Sequence, residues 1–452
     1  MKNTVCIVGG GLAGLLSSIL LADKFEQVLL IEKGDQCGGL LTSVKDDRGN
    51  YYDLGTHIPE LMTDPELNEL LYGTPEELAE NWTQFAHLPV GNFFNGQWNM
   101  GNSLVDTRSL LEEDYNQGIL ELLALDKPSQ SENLDAYLRE TVGPTFTDKV
   151  FQPILMKLYG SGTKDLSLQS SIGYFGLSRV IALTTSVTKA LKTLDVFDAK
   201  LGYHNYLDQK LKAAHLYPKN LKGVSYWMER LVGMAQSKGV QILTNESVEK
   251  IHHSDKKITE IYLSSKGKVG CDLLIWTAAP GLALHVAGIP GAHKGPRTRA
   301  TSLFHFAFDK ELLIKESLYV WCWDSGFKTF RITLYPSLNP HVTPALNNLT
   351  AEVLSTSDEA EDITLEDIQK EMVDLGIVSK NAKVLSQIKQ VLHNTFPVPT
   401  DDDNNHARAN LDRLHEAFSN VMVVGRFAGN AWFLTDVIKE TYSGVKTYQV
   451  AP

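Results

Sequence analysis

The stretch that decides the fold reads Thr4-Val-Cys-Ile-Val-Gly9-Gly10-Gly11-Leu12-Ala13-Gly14, and Val28-Leu-Leu-Ile-Glu32 follows it. This pattern predicts a strand, a glycine turn, a helix and a second strand that ends at an acidic residue. We expect Gly9 to make the tight turn, Gly11 to let the backbone approach a pyrophosphate, and Gly14 to let the helix pack closely on the strand. Leu12 and Ala13 begin that helix, whose free N–H groups and positive dipole end favour phosphate.

Glu32 narrows the choice of dinucleotide. It ends the second strand, where a carboxylate can accept hydrogen bonds from a ribose 2′-hydroxyl. An acid at this position, rather than an arginine, argues against a 2′-phosphate. The sequence therefore predicts an adenosine dinucleotide such as FAD or NAD.

Two segments that follow carry a family resemblance. They read Glu32-Lys33-Gly34-Asp-Gln-Cys-Gly38-Gly39-Leu40 and Tyr51-Tyr-Asp-Leu-Gly55-Thr56-His57. Here the chain resembles the glutathione-reductase-like flavoproteins, and within them the flavin amine oxidase superfamily. That superfamily includes monoamine oxidases, protoporphyrinogen oxidase, carotenoid desaturases and UDP-galactopyranose mutase. The resemblance implies FAD as the cofactor, although Leu40 stands where the family commonly has a basic residue.

The resemblance continues along the chain, at a strand that begins near Val248, at Asp272–Pro280, and at Gly425-Arg426 before a last helix. It implies a set of residues that contact the cofactor: Gly9, Gly11, Leu12, Ala13, Gly14, Glu32, Lys33, Gly38, Gly39, Leu40, Gly55, Thr56, His57, Val248, Ala278, Gly425, Arg426 and Thr435. Because no cysteine follows Cys322, FAD is expected to be held non-covalently.

The implied fold is α/β, a glutathione-reductase-like FAD-binding Rossmann domain interleaved with an α+β substrate domain. The FAD-binding domain is expected to consist of residues 1–85, 216–298 and 399–452. The substrate domain is expected to consist of a helical part, residues 86–215, and a sheet, residues 299–398. Local patterns further predict helices over Ser103–Glu113 and Leu166–Lys192, and an exposed link from Pro397 to Asn405.

Composition excludes several classes of function. The chain has 452 residues and a net charge of −12, which argues against a nucleic-acid partner. No stretch reaches the roughly 20 uninterrupted apolar residues of an integral membrane segment. Cys6, Cys37, Cys271 and Cys322 form no CxxC motif, and no His or Cys spacing suggests a metal. We expect a cytoplasmic protein with a small-molecule substrate; whether it is a monomer or a homodimer is left open.

One segment is more specific within the superfamily. It reads Phe151-Gln-Pro-Ile-Leu-Met-Lys157-Leu-Tyr-Gly160, followed by Asp165-Leu-Ser167. It resembles the branch that contains galactopyranose mutase and protoporphyrinogen oxidase. That branch implies that Lys157 and Arg331 lie near the anionic part of a substrate. Alternatively, Lys157 is a solvated lysine at a helix end, and Arg331 forms a cross-strand ion pair.

His57 and Trp432 complete the catalytic candidates. His57 follows the Gly55-Thr56 turn and is expected near the isoalloxazine, with an ordinary polar loop residue as the alternative. Trp432 and Phe433 suggest an aromatic wall that orients an amine or a flat apolar group. The alternative is that both rings only pack the last helix against the core.

Two classes of function stay open. An oxidoreductase of the amine oxidase or protoporphyrinogen oxidase type would oxidise a small metabolite by hydride transfer to flavin N5, in a bacterial polysaccharide or secondary-metabolite pathway. The N-terminal end of the last helix, near Trp432–Thr435, would stabilise the charge on the reduced ring. The alternative is a mutase-like sugar isomerase that uses reduced FAD without net redox change. Asn430 and Trp432 stand where the mutases have tyrosines, which favours net oxidation; a non-catalytic flavin-binding scaffold is the weakest alternative.

Overall fold

The structure is a computed structural model that describes residues 3–168, 175–203, 214–291, 296–343, 345–429 and 431–449. The strands are β1 Thr4–Val8, β2 Gln27–Ile31, β3 Ser43–Lys45, β4 Tyr51–Asp53, β5 Trp82–Phe85, β6 Val90–Phe94, β7 Gln97–Asn99, β8 His215–Pro218, β9 Gln241–Leu243, β10 Val248–Ser254, β11 Lys257–Leu263, β12 Gly267–Gly270, β13 Leu273–Trp276, β14 Thr298–Phe308, β15 Tyr319–Cys322, β16 Thr329–Leu334, β17 Asn348–Ser355, β18 Val384–Pro397 and β19 Val421–Val423.

The α-helices are α1 Leu12–Leu21, α2 Pro65–Tyr72, α3 Pro75–Asn81, α4 Glu112–Ala124, α5 Leu134–Thr141, α6 Pro144–Phe146, α7 Gln152–Tyr159, α8 Thr185–Leu191, α9 Asp195–Asp198, α10 Ser225–Ser237, α11 Pro280–Val286, α12 Tyr335–Leu338, α13 Ser357–Asp362, α14 Leu365–Asp374, α15 Asp401–Ala417 and α16 Leu434–Lys446. Short 3₁₀ turns cover Thr107–Ser109 and Gly425–Ala428, and a π-helical turn, Thr147–Phe151, leads into α7.

A five-stranded parallel sheet carries the glycine turn. Its order is β19-β13-β1-β2-β9, with β1 in the centre. Val5, Cys6 and Ile7 are fully buried, because helices or other layers cover both faces of the sheet. Helix α1 packs on one face, and its Leu15 shares a hydrophobic core with Ile438 of α16. The strands of this sheet come from three separate parts of the chain.

A second, seven-stranded sheet has the order β18-β14-β17-β16-β15-β6-β7. Alternate residues of β14 point to one face, where Phe304 and Phe306 form a core with Ile368 and Met372 of α14. On the other face, Trp321 and Phe330 belong to a core built with α5–α7. The fold class expected from the sequence is confirmed: a Rossmann-like parallel sheet stands beside a mixed sheet with helices.

The local prediction of a helix was wrong over Ser103–Glu113 and is confirmed only in part over Leu166–Lys192. Over Ser103–Glu113 the chain forms only the 3₁₀ turn Thr107–Ser109, which Asp106 caps, before α4 begins. Within Leu166–Lys192, residues 169–174 lie outside the described part. Among the described residues of this range, Ser167 and Val180 make isolated β-bridges, and α8 confirms the C-terminal part of the predicted helix. Val105 and Val180 are buried in the core built with α5–α7 although neither lies in a regular helix, so apolar spacing alone does not identify a helix here.

The prediction of an exposed link over Pro397–Asn405 was wrong, because Pro397 ends β18, residues 398–400 are buried, and α15 begins at Asp401. Thr400 caps that helix, accepting a hydrogen bond from the Asp403 N–H at 3.1 Å. The three aspartates that suggested an exposed loop occupy the first helical turn, where negative charge is favourable. Within the described ranges, none of the helices has the combined length and apolar character that crossing a bilayer requires.

Candidate functional site

The first glycine turn has no room for side chains at two positions. Gly9 has φ +101°, and its N–H donates to the Ile31 carbonyl at 2.8 Å. A Cβ at Gly9 would lie 2.0 Å from the Thr277 hydroxyl oxygen, and a Cβ at Gly14 would lie 1.9 Å from the Gly9 carbonyl oxygen. Gly14 therefore sets how closely α1 packs on β1.

Gly11 is different, because a Cβ there would meet no atom of the described chain within 4 Å. The residue has ordinary extended angles, φ −73° and ψ −176°, and it precedes α1 without a side-chain cap. Open space and uncapped helical N–H groups are what an anionic group needs at a helix N-terminus. The site thus fits a dinucleotide pyrophosphate.

Glu32 connects two loops at this end of the sheet. Its carboxylate accepts hydrogen bonds from the N–H groups of Gly10 and Gly34, both at 2.6 Å. A carboxylate has about four acceptor positions, so oxygen lone pairs are left for ribose hydroxyls. Burial, with the nearby Glu32 charge, raises the pKa of Cys37 to about 11, which keeps that thiol neutral. The sequence pattern predicts the ribose contact of Glu32 but not its hydrogen bonds to these two loops.

Glycines from two other segments meet the first turn. Gly38, at φ +129°, donates its N–H to the Gly10 carbonyl at 2.8 Å. A Cβ at Gly39 would lie 3.5 Å from Gly11 Cα, and a Cβ at Gly425 would lie 3.2 Å from the Ala13 Cβ. Three distant parts of the chain therefore converge around the start of α1.

The remaining residues that we expect to contact the cofactor lie on several different elements of the fold. Val248 opens β10, and Ala278 lies just beyond β13, next to the Thr277 that approaches Gly9. Thr435 lies in the first turn of α16 and donates to Glu60 at 3.4 Å. Leu40 is half-buried after the second glycine pair, whereas Lys33 is exposed.

A buried acid that sequence reasoning left without a role supports the Gly55 turn. Asp53 is 1% exposed and accepts hydrogen bonds from the hydroxyls of Tyr217 and Ser43, both at 2.7 Å, and from the Val224 N–H at 2.9 Å. Its own N–H donates to the Tyr335 hydroxyl at 2.7 Å. Burial raises the pKa of Asp53 to about 6, and these hydrogen bonds oppose the rise.

Arg331 pairs with Glu352 of the neighbouring strand. Arg331 Nε and one terminal nitrogen donate to the two carboxylate oxygens at 2.6 and 2.7 Å. Glu352 also accepts from the N–H and hydroxyl of Thr56, at 3.2 and 3.1 Å. Arg331 therefore forms a cross-strand ion pair, which was the alternative to a contact with substrate. The pair lies directly beside the Gly55 turn.

His57 is held neutral beside this pair. Its Nε2 donates to the Leu54 carbonyl at 3.2 Å, so Nδ1 is the acceptor nitrogen. Burial, with the positive charges of Arg331 and Arg426 nearby, lowers the pKa of His57 to about 4. The structure thus brings His57, Thr56 and Arg331 together.

Lys157 is not placed as expected. Its ammonium donates to the carbonyls of Cys322, Asp324 and Thr329, at 2.7 to 2.8 Å, which uses all three hydrogens. It is neither a solvated lysine at a helix end nor an open cation for substrate. Instead, it ties α7 to the ends of β15 and β16, and burial lowers its pKa.

Trp432 belongs to a row of aromatic rings. The Arg426 guanidinium lies 4.7 Å from its ring centroid, and Phe396 makes an edge contact at 5.4 Å. Phe396 continues the row by stacking on Phe175 at 5.3 Å. Phe433 leaves about half of its surface exposed. Asn430, the second position that differs from the mutases, lies outside the described residues.

The described residues contain no group of three His, Cys, Asp or Glu side chains arranged to hold a metal ion. The polar groups gathered near the Gly55 turn are instead the Arg331–Glu352 pair, Thr56 and His57. They surround the turn with fixed charges and one neutral imidazole. The arrangement therefore suits orientation and charge stabilisation more than nucleophilic chemistry.

Comparisons with known proteins agree with this geometry. The NAD(P)-binding Rossmann-like domain matches residues 7–72, which contain both glycine loops. A 1-hydroxycarotenoid 3,4-desaturase from Flavobacterium sp. (strain P99-3) is 24% identical over 298 residues, 61% of this chain and 56% of that protein. Coproporphyrinogen III oxidase from Staphylococcus aureus (strain NCTC 8325 / PS 47) is 26% identical over 307 residues, 61% of each chain.

Among solved structures, reduced UDP-galactopyranose mutase superposes with a TM-score of 0.77, covering 98% of this chain and 93% of the mutase. The sequence identity is 16%, so this likeness concerns the fold alone. The chain spans 56% to 61% of the length of the desaturase and the oxidase. Together these findings confirm the resemblance: the chain is similar in sequence to a carotenoid desaturase and a porphyrinogen oxidase, and in fold to UDP-galactopyranose mutase.

Proposed function

We propose that this chain is a FAD-dependent oxidoreductase that oxidises a small metabolite by hydride transfer to flavin N5. The observation that carries the proposal is the convergence of three glycine segments on the open N-terminal end of α1. These segments, which we call the dinucleotide cradle, are suited to binding a pyrophosphate. The adjacent Glu32 is suited to binding an unphosphorylated ribose. The names of the relatives agree with an oxidative activity.

The cofactor would be held by main-chain groups more than by side chains. N–H groups at Leu12, Ala13 and Gly14 would bind pyrophosphate, and Glu32 would bind the adenosine ribose. Arg426 would add charge-assisted hydrogen bonds to phosphate. These contacts need no covalent link, so we propose non-covalent FAD.

Bound FAD supplies a hydride acceptor at N5. The residues of this chain would then orient the substrate, exclude water and stabilise charge. The first turn of α16, with Thr435, offers the positive end of a helix dipole. His57 is neutral at pH 7 and would act as a hydrogen-bonding group whose Nδ1 accepts. Trp432 and Phe433 would form an aromatic wall for a flat or apolar substrate.

The alternative is a sugar mutase that uses reduced FAD without net redox change, a reaction compatible with the fold that this chain shares with the mutase structure. The charge arrangement favours oxidation instead. A nucleotide sugar carries a diphosphate, whereas Arg331 is already paired with Glu352 and Lys157 with three carbonyls. A pathway for bacterial polysaccharides or secondary metabolites, and a cytoplasmic site of action, belong to the same proposal.

The test is spectroscopic and then kinetic. Purified protein should be yellow and should release intact FAD on heat denaturation. Amines, flat apolar metabolites and nucleotide sugars are then added one at a time under anaerobic conditions. Only a compound that the enzyme oxidises should bleach the flavin. Dithionite-reduced protein that interconverts the ring forms of a nucleotide sugar, with no acceptor consumed, would replace the oxidoreductase by the mutase.

A further inference from the structure

A cleft separate from the glycine loops lies in the part of the molecule that contains the seven-stranded sheet. It has a volume of about 710 Å³ and lies between α7, the ends of β16 and β17, and α13. The lining residues are Pro153, Met156, Lys157, Arg299, Ser325, Gly326, Phe327, Lys328, Val353, Leu354, Ser355, Glu359, Asp362 and Ile363. The proposed redox chemistry uses none of these side chains.

The lining combines an apolar wall with charged side chains of both signs. Met156, Phe327 and Ile363 supply apolar surface, and Met156 is 45% exposed. Three cations, Lys157, Arg299 and Lys328, face two acids, Glu359 and Asp362. Lys328 is paired with Asp367, and Lys157 lies close to Glu371 and Asp324, so recognition of an anion in this cleft would rest on Arg299.

Two of the three cations are engaged. Lys157 donates to three carbonyls, and the Lys328 ammonium donates to Asp367 at 3.2 Å. Arg299 differs. One terminal nitrogen donates to the Leu354 carbonyl at 3.1 Å, while the buried Nε–H finds no hydrogen-bond partner among the described residues. The neighbouring acid Glu359 is used by the N-terminal cap of α13, where it accepts from the Thr356 N–H at 2.9 Å.

An unpaired, buried guanidinium donor is costly, and a carboxylate is the group that best satisfies it. The Nε–H and one terminal N–H of an arginine form a fork that matches the two oxygens of a carboxylate. Burial lowers the pKa of Arg299, and the nearby charge of Glu359 opposes this shift only in part. The acids Glu359 and Asp362 would repel a ligand that carries several negative charges, such as a polyphosphate.

We infer that this cleft is a binding site for an apolar monocarboxylate, with Arg299 holding the carboxylate and Met156, Phe327 and Ile363 contacting the apolar body. The volume lies within the usual range for small-molecule sites, roughly 300–1,000 Å³. The site is separate from the dinucleotide cradle, so the inference does not depend on which reaction the flavin performs.

Octanoate is the probe, with octan-1-ol as its uncharged match, titrated by calorimetry into the flavin-loaded protein. We expect binding of one octanoate per chain and no comparable binding of the alcohol. R299M should weaken octanoate binding about tenfold or more, since a charge-assisted pair is lost. R299K should bind with intermediate affinity, because it keeps the charge without the fork. K328M, which removes a cation already paired with Asp367, is the matched control and should change affinity less than about threefold.

M156W keeps Arg299 and fills the cleft, so it tests the location even if R299M fails to fold. It should abolish octanoate binding while leaving the flavin spectrum unchanged. The inference is overturned if octan-1-ol binds as tightly as octanoate, if R299M or R299K binds octanoate as well as the parent protein, or if M156W does not weaken binding. Octanoate that instead perturbs the flavin spectrum with unchanged affinity in R299M would place the carboxylate in the flavin site.

Discussion

Arg331 and Glu352 face each other across β16 and β17 and form a two-point ion pair, with N–O distances of 2.6 and 2.7 Å. Glu352 is 1% exposed as a side chain, and Arg331 is 22% exposed. Glu352 also holds Thr56, so the pair fixes the turn that carries His57. The charges beside the proposed site of the flavin ring therefore belong to an ion pair that also holds the fold together.

E352Q should lower the free energy of unfolding by about 3 kcal/mol, because it leaves the Arg331 charge buried without its partner. Urea unfolding measures this change. The control is E260Q, whose partner Lys268 is 64% exposed, and the expected loss there is under about 1 kcal/mol. Equal effects in the two variants would show that the buried pair contributes little.

K157M should destabilise the fold by about 2–4 kcal/mol, because three carbonyls lose their shared donor. K164M, at an exposed lysine of the same region, should have almost no effect. Thermal unfolding of both variants provides the comparison. A K157M protein of normal stability whose only defect is a raised KM would return Lys157 to the substrate site.

E32A should weaken FAD retention by about 1–3 kcal/mol, since it removes hydrogen bonds to ribose and to Gly10 and Gly34. Equilibrium dialysis of FAD measures the loss. D35A changes an exposed acid of the same loop and should retain FAD normally. Unchanged FAD affinity in E32A would show that Glu32 has no part in the cofactor site.

Stability should fall in acid partly because of His305. This fully buried residue hydrogen-bonds to Thr350 at 2.8 Å and to Gln390 at 3.1 Å, and burial lowers its pKa to about 4, from 6.5. Below pH 6.5 the unfolded chain gains a proton that the folded chain does not accept until about pH 4. The contribution of His305 to stability is therefore present above pH 6.5 and lost as the pH falls toward 4.

The measurement is urea unfolding of H305Q and the parent protein at pH 7 and pH 4. The stability difference between them should shrink by up to about 3 kcal/mol on acidification. Asp53, whose pKa is raised, acts in the opposite direction in both proteins and cancels from the difference. H87Q, at an exposed histidine, should show no such change; a pH-independent difference for H305Q would contradict the account.

Local backbone geometry made the dinucleotide turn predictable, because Gly9 has a positive φ and a side chain at Gly14 would meet the Gly9 carbonyl within the same strand–turn–helix unit. Arg331 and Lys157 were harder, because their partners are set by tertiary structure. Glu352 becomes a neighbour only through strand register, and the carbonyls around Lys157 lie 165 to 172 positions away along the chain. Thr400 and its aspartates look like a loop by composition, and only the capping hydrogen bond shows a helix start.

The central claim is that the open space at Gly11 holds the pyrophosphate of FAD, and G11A tests it most directly. Alanine there has allowed backbone angles and touches no described atom, so the free energy of unfolding without FAD should change by less than about 1 kcal/mol. G14A, whose Cβ would meet the Gly9 carbonyl at 1.9 Å, should instead destabilise the protein itself. Titration of G11A with FAD should show affinity reduced about tenfold or more. A folded G11A protein that binds FAD as tightly as the parent would contradict the account.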